Sequence, residues 1–511
     1  MNAFAPVALA ALLAGALVAQ SPPAPQGGWP TPLPSSAPAP QPTVLWGGAP
    51  AATFGLVLEP LGVSPDGESR ALVRVVLRDA QGAVTALRRG ADFDFFAGRG
   101  SVQWQTRLRF GGPAGIVSTP DAGIVDVRVV ANRPPGLGEQ HVRFDPRVPD
   151  RGRVVASAVG PHLVRIGWFP RPRSGTIRID RVAANGARSP AARIAAPASS
   201  WDDEAVEPGR VARYAVAVGG APPAPVRAAV PPELPPSRAS ALRGKSAWLA
   251  FSGDPLDDES YAKLDPDRIV ETAARAGIRS VELRLAYGAF DEVTPEAKPA
   301  VDRLIDGFAA RGIAVIGWTV PRTASFEDLA RAAQAAAYRT PRGNAIGGLA
   351  VDLERGEEFM GRGPSAAAAL RVYLARLRRA VGPRVLLVAT VEDPFLERLD
   401  QRAFPYREIA READVLQPMT YLRMLGPWDT PEKAQRAVAG SVALVRSLAA
   451  RDVPVSVGVQ TGVLGKRGAP PGPEVAAAVD AARAAGALGV AFYDLTGTGP
   501  EQWDVIARSA W

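Results

Sequence analysis

The sequence predicts a multidomain chain in which two all-β, Ig/fibronectin-like sandwiches precede an α/β TIM (β/α)8 barrel. Three observations lead there. From about residue 245 to the end, eight short apolar runs alternate with helical patterns. Residues 44–148 and 150–230 carry period-two strands punctuated by turn residues. Prolines concentrate at 21–43 and again at 222–236, a composition that builds spacers rather than cores.

Composition narrows the chemistry. A chain of 511 residues that is 47% apolar has ample material for several packed cores. It has no cysteine, which excludes disulfides, thiol nucleophiles and zinc-thiolate sites. The two histidines, His141 and His162, both lie in the first half. The second half therefore holds neither a Ser-His-Asp triad nor a His-based metal centre, and carboxylates are left as its main acid/base groups. The net charge of +8 is uneven. Residues 44–235 carry roughly +7, all from arginine, while the remainder is close to neutral. A basic front half suits anionic polymers, nucleic acid or a membrane surface; the alternative is simply well-solvated strands, and no basic run has nucleic-acid spacing.

Residues 2–19 form an Ala/Leu-rich apolar segment of the size of a secretory h-region, with Ala19 preceding a cleavage point at Gln20. It carries no Lys or Arg, so an uncleaved anchor is the alternative. The expected organisation is a signal peptide (1–20), a Pro-rich disordered linker (21–43), a first sandwich (44–148), a second (150–230), a linker (231–244) and the barrel (245–511). No stretch of the mature chain is long and apolar enough to span a bilayer. The expected location is secreted, periplasmic or on a bacterial cell surface.

In the first sandwich, Ala71–Leu77 alternates and Asp79-Ala80-Gln81-Gly82 makes a turn before Ala83-Val84-Thr85. Ser101–Trp104 and Gly123–Val130 supply further strands. The V-x-V-x-L-x-D-x-x-G-x-V arrangement resembles bacterial immunoglobulin-like domains of the invasin type, which implies a spacer or adhesion module. In the second, Val164–Trp168, Ile177–Arg181, Trp201-Asp202-Asp203 and Ala212–Val218 resemble a fibronectin type III domain. A Trp on an early strand (Trp168) and a Tyr on a late one (Tyr214) are core residues in such sandwiches.

The barrel strands are expected at 246–252, 280–287, 313–320, 347–354, 384–392, 415–421, 454–460 and 488–494. Helical patterns such as Asp267–Ala276, Pro299–Ala310, Ser365–Ala380, Glu432–Ala450 and Glu474–Ala485 lie between them. Several end at glycine, as at Gly277 and Gly312. Eight such units over some 265 residues is the size of a (β/α)8 barrel.

Function in such barrels gathers at the C-terminal strand ends. Those ends are Ser252/Asp254, Arg284/Tyr287, Trp318/Arg322, Asp352/Glu354, Glu392/Asp393, Gln417/Met419/Tyr421, Gln460 and Tyr493/Asp494. Acids, amides and aromatics predominate, groups that transfer protons, bind hydroxyls and stack on sugar rings. The fourth strand is the most pointed. Leu349, Val351 and Leu353 alternate with Gly348, Ala350, Asp352 and Glu354, so one face is aliphatic and the other is small and then acidic. Asp352 and Glu354 fall on one face, roughly 6–7 Å apart at Cα. A carboxyl beside a second carboxylate has a raised pKa and can hold a proton near neutrality. For Glu282 and Arg284, a buried structural ion pair is the alternative to a binding role.

The segment Gly348–Glu354 is similar to the fourth-strand D-G-x-D-x-D-x-E motif of family 18 glycoside hydrolases, the chitinase-like enzymes. Gly348, Asp352 and Glu354 match it, and Gly347 and Ala350 stand where its first two aspartates are expected. Gln417-Pro418-Met419-Thr420-Tyr421 resembles the sixth-strand Q-x-M-x-Y, and Gly489–Tyr493 the eighth strand, with Tyr493 where a Trp is usual. The resemblance implies Glu354 as general acid, Asp352 orienting the substrate's N-acetyl group for substrate-assisted retention, and Tyr421 holding that group through its hydroxyl. Trp318, Gln417, Met419, Tyr493, Tyr287, Arg284, Glu392 and Gln460 are the candidate substrate-binding residues. No metal or other cofactor is expected.

Three other readings stay open. A fourth-strand D-x-E also occurs in family 25 lysozymes, which would make peptidoglycan the substrate. A two-carboxylate mechanism could pair Glu354 with Glu392. A barrel that has lost catalysis could serve as a glycan-binding module on an adhesion stalk. The expected partner is a polysaccharide or cell-wall glycan, not nucleic acid, and the expected state is a monomer.

Overall fold

A computed structural model describes residues 51–84, 92–105, 113–133, 136–146, 153–251, 253, 260–356, 360 and 363–511. The expected signal peptide and Pro-rich linker, together with Thr85, Ser252 and Asp254, lie outside the described residues.

The first sandwich is built from β1 (Thr53–Val63), β2 (Ser69–Arg78), β3 (Asp92–Ala97), β4 (Ser101–Gln105), β5 (Ala114–Thr119), β6 (Val125–Arg133) and β7 (Glu139–Phe144). They form two antiparallel sheets, β1-β2-β5-β4 and β3-β6-β7. Alternation decides which side chains meet between them: Val73, Val75 and Leu77 from one sheet bury against Phe93, Phe95, Val125, Val127 and Val129 from the other. The second sandwich uses β8 (Val154–Gly160), β9 (Leu163–Trp168), β10 (Thr176–Val182), β11 (Arg188–Ala195), β12 (Ser200–Asp203), β13 (Val211–Val218) and β14 (Ala224–Ala229). Its sheets are β12-β9-β8 and β11-β10-β13-β14, and both Trp168 and Tyr214 sit in the core between them. Each polar tip finds a partner, Trp168 Nε1 donating to Ala198 O at 2.9 Å and the Tyr214 hydroxyl to Asp203 at 2.9 Å.

The barrel strands are β15 (Gly244–Leu249), β16 (Ser280–Tyr287), β18 (Ala314–Val320), β19 (Leu349–Leu353), β20 (Leu387–Val391), β21 (Val415–Thr420), β22 (Ser456–Gln460) and β23 (Gly489–Tyr493), with β17 (Phe290–Asp291) a short antiparallel return on β16. All eight are parallel, and β15 pairs with both β16 and β23, which closes the sheet. The helices are α1 (Pro266–Arg275), α2 (Lys298–Ala310), α3 (Phe326–Ala337), α4 (Gly363–Val381), α5 (Tyr406–Glu412), α6 (Leu422–Leu425), α7 (Pro431–Ala449), α8 (Gly472–Ala484) and α9 (Pro500–Arg508). Their starts are chemically marked. Asp265, Ser325 and Thr430 each accept a backbone N–H from the first turn, and prolines follow Asp265 and Thr430. Outward strand residues such as Leu349, Val351 and Leu353 pack under the helices, while Ala350 belongs to a separate inner cluster with Trp248, Ile316, Trp318, Val388 and Val415. No helix among the described residues is long and apolar enough to cross a membrane.

The sandwiches are bound to the barrel rather than tethered to it. Leu72, Ala114 and Ile116 of the first sandwich bury with Ala289 and Phe290 beside β17. Gln103 donates to Thr323 and Asp328 in the loop and helix that follow β18, at 2.7 and 3.2 Å. The three-stranded sheet of the second sandwich sits on α3 and α4. Gly160 lies so close to Ala380 that a Cβ there would come within 2.4 Å of the Ala380 carbonyl oxygen. The proline-rich stretch before β15 is anchored too: Leu234 joins the barrel core, and the Ser237 hydroxyl accepts Leu386 N at 2.7 Å.

One charge cluster joins all three parts. Arg165, 1% exposed, donates to Asp66 of the first sandwich and to Asp202 of its own domain, both at 2.6 Å. Asp66 in turn accepts Phe326 N at the start of α3 at 2.6 Å, and Asp202 meets Arg376 of α4 at 3.3 Å. Removing one partner from a buried pair leaves the other charge stranded, at a cost of about 3–5 kcal/mol. Beside the cluster, Arg70 pairs with Glu327, and burial, reinforced by Asp66 and Glu327, pushes the Glu68 carboxyl up to about 7. Because its folded pKa is raised, Glu68 contributes stability that is full below about 4.5 and is lost as pH climbs through 7. Glu68→Gln is therefore expected to melt higher than the wild type at pH 8 and to lose that advantage at pH 4.5, read by thermal unfolding of the whole chain. An equal difference at both pH values would contradict this account.

Candidate active site

The barrel interior must be filled, and here it is filled by rings. Trp248 enters from β15, Trp318 from β18 and Tyr493 from β23, with centroids 5.7–6.5 Å apart. Tyr421, just past β21, stacks on Tyr493 at 5.3 Å. Trp248 fits because the seventh strand carries Gly458, where a Cβ would lie 2.5 Å from the indole ring. Edge contacts dominate, as at 90° between Trp318 and Tyr493.

Acids stand on this aromatic floor. Asp352 is on the inner face of β19 in register with Thr390 of β20, and is 5% exposed. Glu354 follows it on the same side and is half-buried. Asp352 Oδ1 has no hydrogen-bond partner within the protein. Burial, then the neighbouring Glu354, Glu282 and Glu392 charges, drive the Asp352 carboxyl well above the usual range, only partly offset by Arg284. Asp352 is thus the more deeply buried acid of this strand end. The Tyr421 hydroxyl is likewise raised, by burial and then by Tyr493, Asp352 and Glu354, so it stays a proton donor beside the pair.

The other sequence candidates divide. Arg284 projects from β16 over Trp318 and Tyr287, at 6.0 and 5.8 Å, and donates to Phe251 O at 2.9 Å. Met419 is 8% exposed in the inner cluster beside Tyr421. Arg284 and Tyr493 interact electrostatically with the acids, and Trp318 and Tyr287 flank Arg284. Gln417 faces inward but is consumed by the protein: Nε2 donates to Glu282 at 2.8 Å and Oε1 accepts the Thr390 hydroxyl at 3.0 Å. Glu392 is clamped by Arg355, through its backbone N–H at 2.6 Å and its guanidinium at 2.5 Å. Gln460 accepts Arg423 N and Met424 N at 3.1 Å and donates to Gly462 O and Gly468 O, so it fastens the loops after β21 and β22. Asp393 holds Thr420 and Ser441, each at 2.6 Å, and buttresses the helix layer.

An ion pair between Glu282 and Arg284 does not form. Glu282 instead reaches across the interior from the second strand to Gln417 on the sixth, fully buried, with its Oε2 left without a partner. Burial pushes its carboxyl up to about 7. Trp248 and Glu282 are the two site residues that strand-end reasoning passed over. Both lie one layer below the strand ends, and the available signal was the inward Gly458 that makes room for the indole.

The described residues contain no group of three His, Asp or Glu side chains arranged to hold a metal ion. What the arrangement offers is two neighbouring acids, the Asp352 carboxyl raised by burial, above a layer of packed rings and next to a tyrosine donor.

The sequence matches no protein-family model and none of the curated proteins. Among solved structures, the chain resembles a chitinase from Chromobacterium violaceum ATCC 12472, with 13% identity and a TM-score of 0.37 over 52% of this chain and 98% of that one. It also resembles the spore cortex-lytic enzyme SleL of Bacillus megaterium QM B1551, with 11% identity and a TM-score of 0.37 over 57% and 79%. A class V chitinase from Nicotiana tobaccum has 11% identity and a TM-score of 0.37 over 52% and 97%. At these values no residue role or reaction passes from those proteins to this chain.

The two raised carboxyls make the barrel floor sensitive to pH. Glu282→Gln preserves an acceptor for Gln417 but cannot ionise, so it escapes the stability that the wild type loses as pH rises through about 7. Its melting temperature is expected to exceed the wild type's at pH 8.5, by an amount corresponding to about 3 kcal/mol at most, and to match it at pH 4.5. A lower melting temperature at pH 8.5 would show that Glu282 is needed as a carboxylate.

Proposed function

We propose that this chain hydrolyses glycosidic bonds in an N-acetylated polysaccharide, chitin-like or peptidoglycan, at the C-terminal mouth of its barrel. One observation carries the reading: the Asp352 and Glu354 carboxyls at the fourth-strand end both act on the Tyr421 and Tyr493 hydroxyls, so acids and rings meet at one point of the barrel mouth. Tyr493, partly exposed, offers its ring to a sugar, and paired carboxyls are the acid/base apparatus of glycoside hydrolysis.

The chemistry favours substrate assistance. Glu392 is occupied by Arg355 and Gln460 is an amide locked in loop contacts, so neither acts as a second free carboxylate opposite Glu354. Asp352, held protonated by burial and by its acidic neighbours, is a poor nucleophile. It is well placed for another task. When the acetamido N–H of a bound sugar donates to Asp352, the carboxylate form is stabilised and the proton of the pair passes to Glu354. Glu354 then protonates the glycosidic oxygen as the bond to the anomeric carbon breaks. The acetamido carbonyl oxygen forms a new bond to that carbon, and the resulting positive charge faces the Asp352 carboxylate. The Tyr421 hydroxyl positions the carbonyl. Water, deprotonated by Glu354, attacks the anomeric carbon, reopens the ring with net retention and restores the proton to the pair.

A second reading has its own observation. Gly347 and Ala350 stand where the resembling motif carries acids, and Ala350 is fully buried in the inner cluster. A barrel without those acids could bind glycan and not cleave it. The apolar 2–19 segment and a glycan substrate fit a protein exported to the periplasm or cell surface, acting as a monomer and not on nucleic acid.

The test uses the chain with both sandwiches, since they bury surface against the barrel. Chitooligosaccharides and peptidoglycan are offered to wild type and to Glu354→Gln. Turnover is expected to fall by roughly 10²–10⁴-fold in the variant, while oligosaccharide affinity stays within a few-fold. Turnover that survives would remove Glu354 from the role of acid. Binding without turnover in the wild type would establish the second reading.

A further inference from the structure

The second sandwich presents one sheet to the barrel and turns the other away. Gly160, His162 and Leu163 of its three-stranded sheet meet α4 and the barrel core. On the four-stranded sheet, Ile177, Ile179, Tyr214 and Val216 point inward to the sandwich core. The alternate positions therefore form an outer face, and strand register fixes what stands on it. Arg188 is paired with Val182, and Arg213 with Arg227, so Arg188, Val182, Arg213 and Arg227 make one row across β11, β10, β13 and β14. A second pair, Arg178 opposite Arg193, stands farther along the same face.

Two directly opposed arginine pairs in one sheet are physically costly, because like charges facing across strands repel. Ordinary solvated sheets relieve this with interleaved carboxylates. Here the only acid on the face is Asp180, 3.4 Å from Arg178. Arg188, Arg193, Arg213 and Arg227 are exposed and have no carboxylate partner among the described residues. The row is also concave. A groove of about 700 Å³ starts on it and crosses the β14 edge onto β8 of the other sheet, lined by the guanidinium-bearing Arg188, Arg213 and Arg227 and by apolar Val182, Pro225 and Val154.

We propose that this groove is a docking site for a linear acidic polysaccharide, its carboxylates taken by the arginine row and its ring faces by the apolar floor. Arg188 and Arg227 are three strand spacings apart, about 14 Å, which suits an extended chain with repeated charges better than a single small anion. Guanidinium groups match carboxylates in a two-bonded geometry. The groove lining offers no exposed aromatic ring on which bases could stack, which disfavours single-stranded nucleic acid. The choice of a glycan, rather than another polyanion, rests on the glycosidase reading of the barrel. The site would hold an acidic polymer while the barrel addresses N-acetylated sugars.

The experiment uses the full chain and polygalacturonate as probe. The triple variant Arg188→Ser, Arg213→Ser, Arg227→Ser is compared with Arg371→Ser, Arg411→Ser, Arg436→Ser, which removes equal charge from exposed barrel helices. Polygalacturonate affinity is expected to fall roughly tenfold to a hundredfold in the groove variant alone, with a shallower dependence on salt. Arg227→Glu is expected to melt no lower than the wild type, because it replaces a like-charge pair with an opposite one. Three results would overturn the proposal: no binding by the wild type, equal loss in both triple variants, or tighter binding of polyphosphate or single-stranded DNA than of the acidic polysaccharide. Glu354→Gln is expected to bind polygalacturonate as the wild type does. A failure of the barrel chemistry is thus seen in turnover alone, and a failure of the groove in this binding alone.

Discussion

Closure of the eight-stranded sheet is the constraint from which the rest of the barrel follows. Once β15 pairs with both β16 and β23, no strand edge remains, and every inward side chain must find its place in a fixed interior. Aliphatic residues such as Ile316, Val388 and Val415 occupy the inner cluster together with the Trp248 and Trp318 rings. Polar groups introduced into that space lose their water. Asp352 and Glu282 are there, and both carboxyls are raised chiefly for that reason. The same closure that makes the barrel stable thus raises two interior carboxyls, that of Glu282 to about 7.

The sandwiches extend this rigidity to the rim. The loop after β18 is held by Asp328, which accepts Arg322 N and Thr323 N at 2.7 Å and is itself contacted by Gln103 of the first sandwich. Arg322 lies over Tyr287 at 5.4 Å, so Gln103 of the first sandwich is linked to the aromatic edge of the site through Asp328 and Arg322. Arg165 and its two aspartates hold the start of the same helix, α3, through Phe326 N. The β domains therefore act as buttresses for the barrel wall.

The fold was legible because its period changes are large. Alternation in Leu349–Leu353 separated an aliphatic outer face from an acidic inner one, and the helix cluster and inner cluster divide along that line. Eight strands could be counted because each is short, apolar and followed by a helical pattern. The site was legible only in its top layer. Strand parity placed Arg284, Trp318, Asp352 and Tyr493 inside, but it does not show which polar groups the protein itself uses up. Glu392 reads as a free acid until the backbone N–H and guanidinium of Arg355 are seen closing on it. Gln417 reads as a sugar-binding amide until Glu282 appears across the barrel, 135 positions earlier in the chain. Such pairings depend on distances across a closed interior, which no local pattern encodes.

A buried carboxyl with a partnerless oxygen and an arginine row whose members have no carboxylate partner among the described residues are the same kind of feature at different scales. Both leave a charged or chargeable group without the protein partner that would make the fold most stable. Asp352 is surrounded by acids that raise its energy when ionised, and Arg213 and Arg227 face each other across adjacent strands. A bound acetamido group would neutralise the first defect by donating to Asp352, and a bound polymer carboxylate the second by pairing with both guanidinium groups. In each case the missing interaction specifies the chemistry of the ligand that would supply it. The two proposed ligands, an N-acetylated sugar in the barrel and an acidic chain on the outer sheet, are compatible with one heteropolymer.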